Sequence, residues 1–118
     1  MSEELKELKT QTKKLWKELP SVMGAFIKLD KECSKEGILS NKTKELIALG
    51  ISISIRCEYC IYYHTSEAVK YGASRAEILE AAGVSILIAG GSAETYVALV
   101  LLKALDELDV KFAALVSD

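Results

Sequence analysis

Apolar positions recur at helical spacing along this chain. Leu5, Leu8, Leu15, Trp16 and Leu19 fall at three-, four- and seven-residue intervals and predict an amphipathic first helix ending at Pro20. Val22, Met23, Phe26, Ile27 and Leu29 form the apolar side of a second helix, followed by a polar tail from Asp30 to Glu36 and a stop at Gly37. Ser40 or Asn41 caps a third helix, which carries Leu46, Ile47, Leu49 and Gly50 into the run Ile51-Ser-Ile-Ser-Ile55. That run alternates as a strand would, but with no partner strand elsewhere it reads as the buried end of a helix.

A break at Ile55-Arg56-Cys57 precedes a fourth helix that reaches Tyr71 and stops at Gly72. Ser74-Arg75-Ala76-Glu77 has the form of a capping box and opens a fifth helix, closed by Gly90-Gly91. Ser92 is placed as the cap of a sixth helix reaching about Leu108, with Val110 to Val116 as a short terminal turn or helix. The expectation is an all-α single domain of about six helices spanning residues 1–118.

Composition sharpens this picture in two respects. Half of the 118 residues are apolar and mean hydropathy is +0.19, so a chain this small must expose apolar surface unless copies of it associate. A homo-oligomer is expected. Fifteen basic and seventeen acidic residues are interspersed, which leaves no electrostatic footprint for nucleic acid. The segment Ala81 to Leu102 carries one charge, Glu94, and is long enough to cross a membrane, but Gly90-Gly91-Ser92 and that glutamate divide it into two buried helices. The charged start Met-Ser-Glu-Glu-Leu-Lys has no secretory pattern, so a cytoplasmic location is expected.

The chemistry is concentrated in Cys57-Glu58-Tyr59-Cys60-Ile61-Tyr62-Tyr63-His64, which joins two thiols to the chain's only histidine. On a helix the three side chains share one face, because Cys60 lies one turn beyond Cys57 and His64 one turn beyond Cys60. A helix starting near Cys57 puts both sulfurs at its N-terminal end, where free N–H groups and the dipole favour thiolate. Glu45 enters through the hairpin. The midpoint between positions 45 and 64 is 54.5, at the break between helices three and four, so antiparallel packing would set Glu45 opposite His64. Carboxylate, imidazole and thiol would then form a proton relay.

Glu45, Cys57, Cys60 and His64 at these spacings resemble the signature of the alkylhydroperoxidase D-like branch of the carboxymuconolactone decarboxylase family. Gly72-Ala73-Ser74-Arg75-Ala76-Glu77 is similar to a second element of that family, and the helical order fits along most of the chain. The resemblance implies that Cys60 attacks peroxide, Cys57 resolves the product as a disulfide, and Glu45 with His64 moves the proton. It implies reduction of hydroperoxides or disulfides without a bound cofactor, resetting by an external dithiol or dithiol-carrying protein, and assembly into trimers or hexamers. One position departs: Tyr59 stands where the best-known peroxidase of the branch has a second histidine.

A zinc-binding or purely structural oligomer is one alternative, since Cys57, Cys60, His64 and Glu45 are all ligand types that zinc accepts. A disulfide reductase or redox partner using the same residues without a peroxide step is the other alternative. Covalent haem is excluded by Ile61, which occupies the position directly after the second cysteine where a histidine would be needed. Cys33 has no histidine or second cysteine within a turn and reads as an ordinary, partly buried thiol. Tyr59, Tyr62, Tyr63 and Tyr71 read as packing residues with wet hydroxyls, and Glu94 as part of an exposed helix face.

Overall fold

The computed structural model describes residues 3–116, with side chains to residue 109. Every regular element among them is helical. Two compact units are distinguished by their internal contacts, Met1–Gly37 and Ile38–Asp118.

The first unit is a pair of helices, α1 (Glu3–Glu18) and α2 (Pro20–Ser34). Proline at the first position of α2 has no N–H to lose there, which lets one helix end and the next begin across Leu19. The second helix stops at Ser34, three residues before the predicted Gly37, with Lys35 as its cap in extended backbone. Its apolar stripe is largely open: Val22, Phe26 and Leu29 are each about three-fifths exposed. Cys33 is exposed, not partly buried as expected, since it lies in the polar tail of the helix.

The second unit holds the core. Helices α3 (Asn41–Ser54), α4 (Glu58–Lys70) and α5 (Arg75–Ala89) pack with α3 against both others. Leu49 and Ile53 from α3, Ile61 from α4 and Ile78 from α5 are fully buried, each contributing about 1.5–3 kcal/mol. Only one side of the alternating run is inside: Ser52 and Ile53 are buried while Ile51 and Ile55 are exposed. The buried hydroxyls all have partners. Ser52 donates to the Ala48 carbonyl, Thr65 to Ile61, and Ser85 of α5 to Gly50 of α3 at 2.8 Å. That cross-helix bond requires close approach, since a Cβ on Gly50 would lie 3.2 Å from Ser85 Oγ.

Ser40 accepts from the Thr43 N–H to cap α3. The capping box at Ser74 forms in full, and Lys42 reaches the same Glu77 at 2.8 Å, tying the starts of α3 and α5 together. The cap predicted at Ser92 does not form. Gly90, at φ 69°, serves both as the C-cap of α5 and as the N-cap of α6 (Gly91–Tyr96), a left-handed backbone that glycine adopts without strain.

No boundary follows near Leu108. A π-helical segment, Val97–Leu101, continues α6 directly into α7 (Leu102–Val116). The wider π turn accommodates an extra residue. Val100 and Leu101, then Ala104 and Leu105, reach the interior. Arg75 at the start of α5 pairs with Asp106 and Asp109 of α7. Among the described residues no helix is long and apolar enough to cross a membrane.

Candidate functional site

The site is built on the joint between α3 and α4. Ile55 is the C-cap of α3, and Arg56 follows at φ 59°, the one described non-glycine residue with positive φ. Its N–H donates to the Ile53 carbonyl at 3.1 Å, and the Cys57 N–H donates to Ser52 at 3.0 Å. These two bonds make a Schellman closure in which Arg56 takes the left-handed position that usually belongs to glycine. Cys57 then opens α4 at once. Its carbonyl accepts the first helical bond from Ile61, and its Sγ accepts the Cys60 N–H at 3.2 Å. One residue therefore completes one helix end and caps the next.

Cys57 and Cys60 are joined as a disulfide, with Cα atoms 5.2 Å apart. Both are half-buried at the N-terminal end of α4, the end whose backbone favours negative charge on sulfur. Across the joint, Glu45 occupies the same face of α3 as the buried Leu49 and Ser52, and its side chain is 5% exposed. His64 Nδ1 donates to Glu45 Oε2 at 2.7 Å. A carboxylate only accepts, so it fixes the proton of a neutral imidazole on Nδ1 and leaves the Nε2 lone pair available as a base.

The hairpin thus brings Glu45 to His64, and the opening turn of α4 brings Cys57 to Cys60. Among the described residues no hydrogen bond links His64 to either sulfur. Nor does any group of three or more His, Cys, Asp or Glu side chains among them converge as a metal site.

Aromatic rings border the pair. Tyr63 presents an edge to His64, with centroids 5.0 Å apart and planes at 73°, and Tyr59 stacks on Tyr63 at 6.1 Å. Both are more than one-third exposed, as packing residues with solvent-facing hydroxyls are. Tyr62 packs against the core and donates to Glu107 at 3.4 Å; burial, and then the Glu107 charge, push its hydroxyl above the ordinary tyrosine value. Tyr71 is the exposed C-cap of α4, and Glu94 lies on an exposed face of α6.

Two features of the site escape a reading of the sequence. Ile-Arg-Cys contains no glycine to advertise a left-handed turn, so the conformation of Arg56 leaves no trace. The Tyr63 contact with His64 joins adjacent residues, which helical spacing does not mark as neighbours.

The model of the carboxymuconolactone decarboxylase family matches residues 20–103, from the start of α2 into α7. A crystal structure of an apo carboxymuconolactone decarboxylase family protein from Legionella pneumophila superposes with a TM-score of 0.83 at 36% identity, covering 90% of this chain and 97% of the other. A Thermotoga maritima member of the family, for which a part in the antioxidative response has been suggested, gives 0.74 at 33% identity over 78% and 94% of the two chains. An uncharacterised protein encoded in the cox locus of Paracoccus denitrificans is 35% identical over 89 residues, which is 75% of this chain and 79% of the relative. Together the family match along most of the chain and these superpositions place it: the chain belongs to the carboxymuconolactone decarboxylase family.

Proposed function

We propose that the chain is a dithiol oxidoreductase of the alkylhydroperoxidase D-like kind, reducing hydroperoxides with Cys57 and Cys60. The observation that carries the reading is the Cys57–Cys60 disulfide at the opening turn of α4, one helix turn before a histidine held by a buried glutamate. In the reduced state the Cys60 thiolate attacks the terminal peroxide oxygen. The O–O bond breaks, the alcohol leaves with a proton, and Cys60 becomes a sulfenic acid. Cys57 then attacks that sulfur as thiolate, water departs, and the disulfide closes. His64 Nε2 takes the thiol proton and returns it to the leaving oxygen, while Glu45 holds the ring. An external dithiol resets the site by exchange, passing two electrons and two protons to the cysteines. No bound cofactor enters this cycle.

Assembly is part of the proposal. An open groove of 560 Å³ between α3 and α5 is lined by Leu46, Ile47, Ile51, Val84 and Ile88, and Leu87 beside it is 79% exposed. An apolar surface this continuous supports a homo-oligomer, a trimer or hexamer by the family resemblance.

The test is one equivalent of hydroperoxide added to the reduced protein, followed by thiol trapping and mass spectrometry. A Cys57–Cys60 disulfide forming through a sulfenate on Cys60 is expected, with the Cys60→Ser protein inert. Peroxide consumption unchanged in Cys60→Ser would defeat the mechanism. Disulfide exchange without a peroxide reaction would favour the reductase reading, which the same disulfide supports.

A further inference from the structure

Arg56 combines three properties that the proposed peroxide cycle does not use. It stands in the left-handed region at φ 59°, where a side-chain-bearing residue is strained and glycine is not. It is exposed, and no carboxylate among the described residues pairs with its guanidinium. It is also bonded through its backbone into the closure that positions Cys57, the next residue. Backbone strain of this kind at a reactive group points from the outlier to a role. The backbone here would be easier to form with glycine, so the side chain is what distinguishes arginine.

The acidic neighbours of the motif are engaged elsewhere. Glu45 is buried against His64, and Glu58, in the first turn of α4, is half-buried with contacts of its own. The unpaired charge at the joint is therefore positive. A planar guanidinium recognises carboxylates in a forked geometry.

We propose that Arg56 selects the thiol or disulfide that exchanges with Cys57 and Cys60, favouring small partners that carry a carboxylate close to sulfur. This rests on the redox reading of the cysteine pair. With such a disulfide, one cysteine thiolate attacks a partner sulfur, the partner S–S bond breaks, and one partner thiolate leaves. The second cysteine thiolate attacks the protein sulfur of the mixed disulfide and expels the other partner thiolate. Two electrons pass from the protein to the partner, and the two cysteine protons end on the two released thiolates. The Arg56 charge draws the partner carboxylate toward Cys57 during the first attack.

The experiment measures the oxidation rate of the full, reduced chain by three disulfides of graded charge: 3,3′-dithiodipropionate, hydroxyethyl disulfide and cystamine. Wild type is compared with Arg56→Gly and Arg56→Lys. A unit charge 6–7 Å from another in water changes an encounter rate by about threefold. Arg56→Gly is expected to slow the anionic disulfide by about threefold, leave the neutral one unchanged and speed the cationic one, with the differences shrinking in 0.5 M salt by about half or more. Arg56→Lys keeps the order of the wild type, and Arg56→Gly melts no lower than wild type because its backbone is relieved. Equal effects on all three rates, or none, overturn the proposal, as does a lower melting temperature for Arg56→Gly. A wild-type protein that reacts with none of the three yet still closes the Cys57–Cys60 disulfide with hydroperoxide overturns this proposal alone, whereas one inert to both the disulfides and hydroperoxide sinks the redox reading itself.

Discussion

Substituting Glu45→Gln separates holding a histidine from merely packing beside it. The glutamate is 5% exposed and bonded at 2.7 Å to a ring that is 21% exposed. Glutamine has the same shape, so the interior keeps its volume and no cavity opens. What changes is the bond: a charge-assisted hydrogen bond, about 1.5–3 kcal/mol, becomes a neutral one of about 0.5–1.5 kcal/mol. The net loss is about 1 kcal/mol, a fall of about 3–5 °C in melting temperature for a chain of this size. The chemical consequence is larger. An amide can donate to Nδ1, which places the ring proton on Nε2 and removes the lone pair that would accept from a thiol. Loss of a general base lowers rates by about 10²–10⁴. Disulfide formation in the reduced protein should therefore slow at least about 100-fold with peroxide, while the fold barely weakens. The tautomer is read independently by nitrogen NMR, which is unambiguous because the chain has a single histidine. A rate within about threefold of wild type, with the ring proton moved to Nε2, would refute the relay.

Two further outcomes concern the scaffold. Ser74→Ala removes the acceptor of the Glu77 N–H at 3.1 Å and should lower stability by about 1 kcal/mol in chemical denaturation, with Ser74→Asp restoring most of it. Lys42, and with it the Ser74 backbone N–H, holds the Glu77 carboxyl below its ordinary value of 4.5. A depressed carboxylate contributes stability that is complete above its unfolded value and lost as pH falls through the folded one. Stability should accordingly drop from pH 4.5 downward in acid melts. Glu77→Gln should flatten that part of the curve, and an unaltered acid slope would contradict the assignment.

What the sequence reveals and what it hides divide along a physical line. The Glu45–His64 bond was legible because an antiparallel hairpin pairs positions whose numbers have a constant sum, so the location of the break alone places the partners. The capping box was legible because Ser74 and Glu77 satisfy each other within one turn. Arg56 was not, because φ at a residue that is neither glycine nor asparagine is imposed by the two helices it joins. The π segment was hidden for another reason: Val97-Ala-Leu-Val-Leu101 is apolar throughout and carries no period from which an inserted residue could be counted.

The same distinction applies to the apolar stripe of α2, whose pattern is legible in the sequence while what covers it is not. Periodicity identifies the face of a helix that avoids water; it does not say what covers that face. Phe26 at 61% and Val22 at 60% exposed keep their helical spacing without becoming core, and Ile51, Val84 and Ile88 do the same along the groove between α3 and α5. By contrast Leu49, Ile53, Ile61 and Ile78 are covered by helices of their own unit. The joint between α3 and α4 draws on the second group: Glu45 shares its face with Leu49, His64 shares a helix with Ile61, and the register that brings them together is set by packing within their own unit. The Glu45–His64 bond forms within a single copy of the chain, so the exposed apolar faces are available for assembly without being required to make that bond.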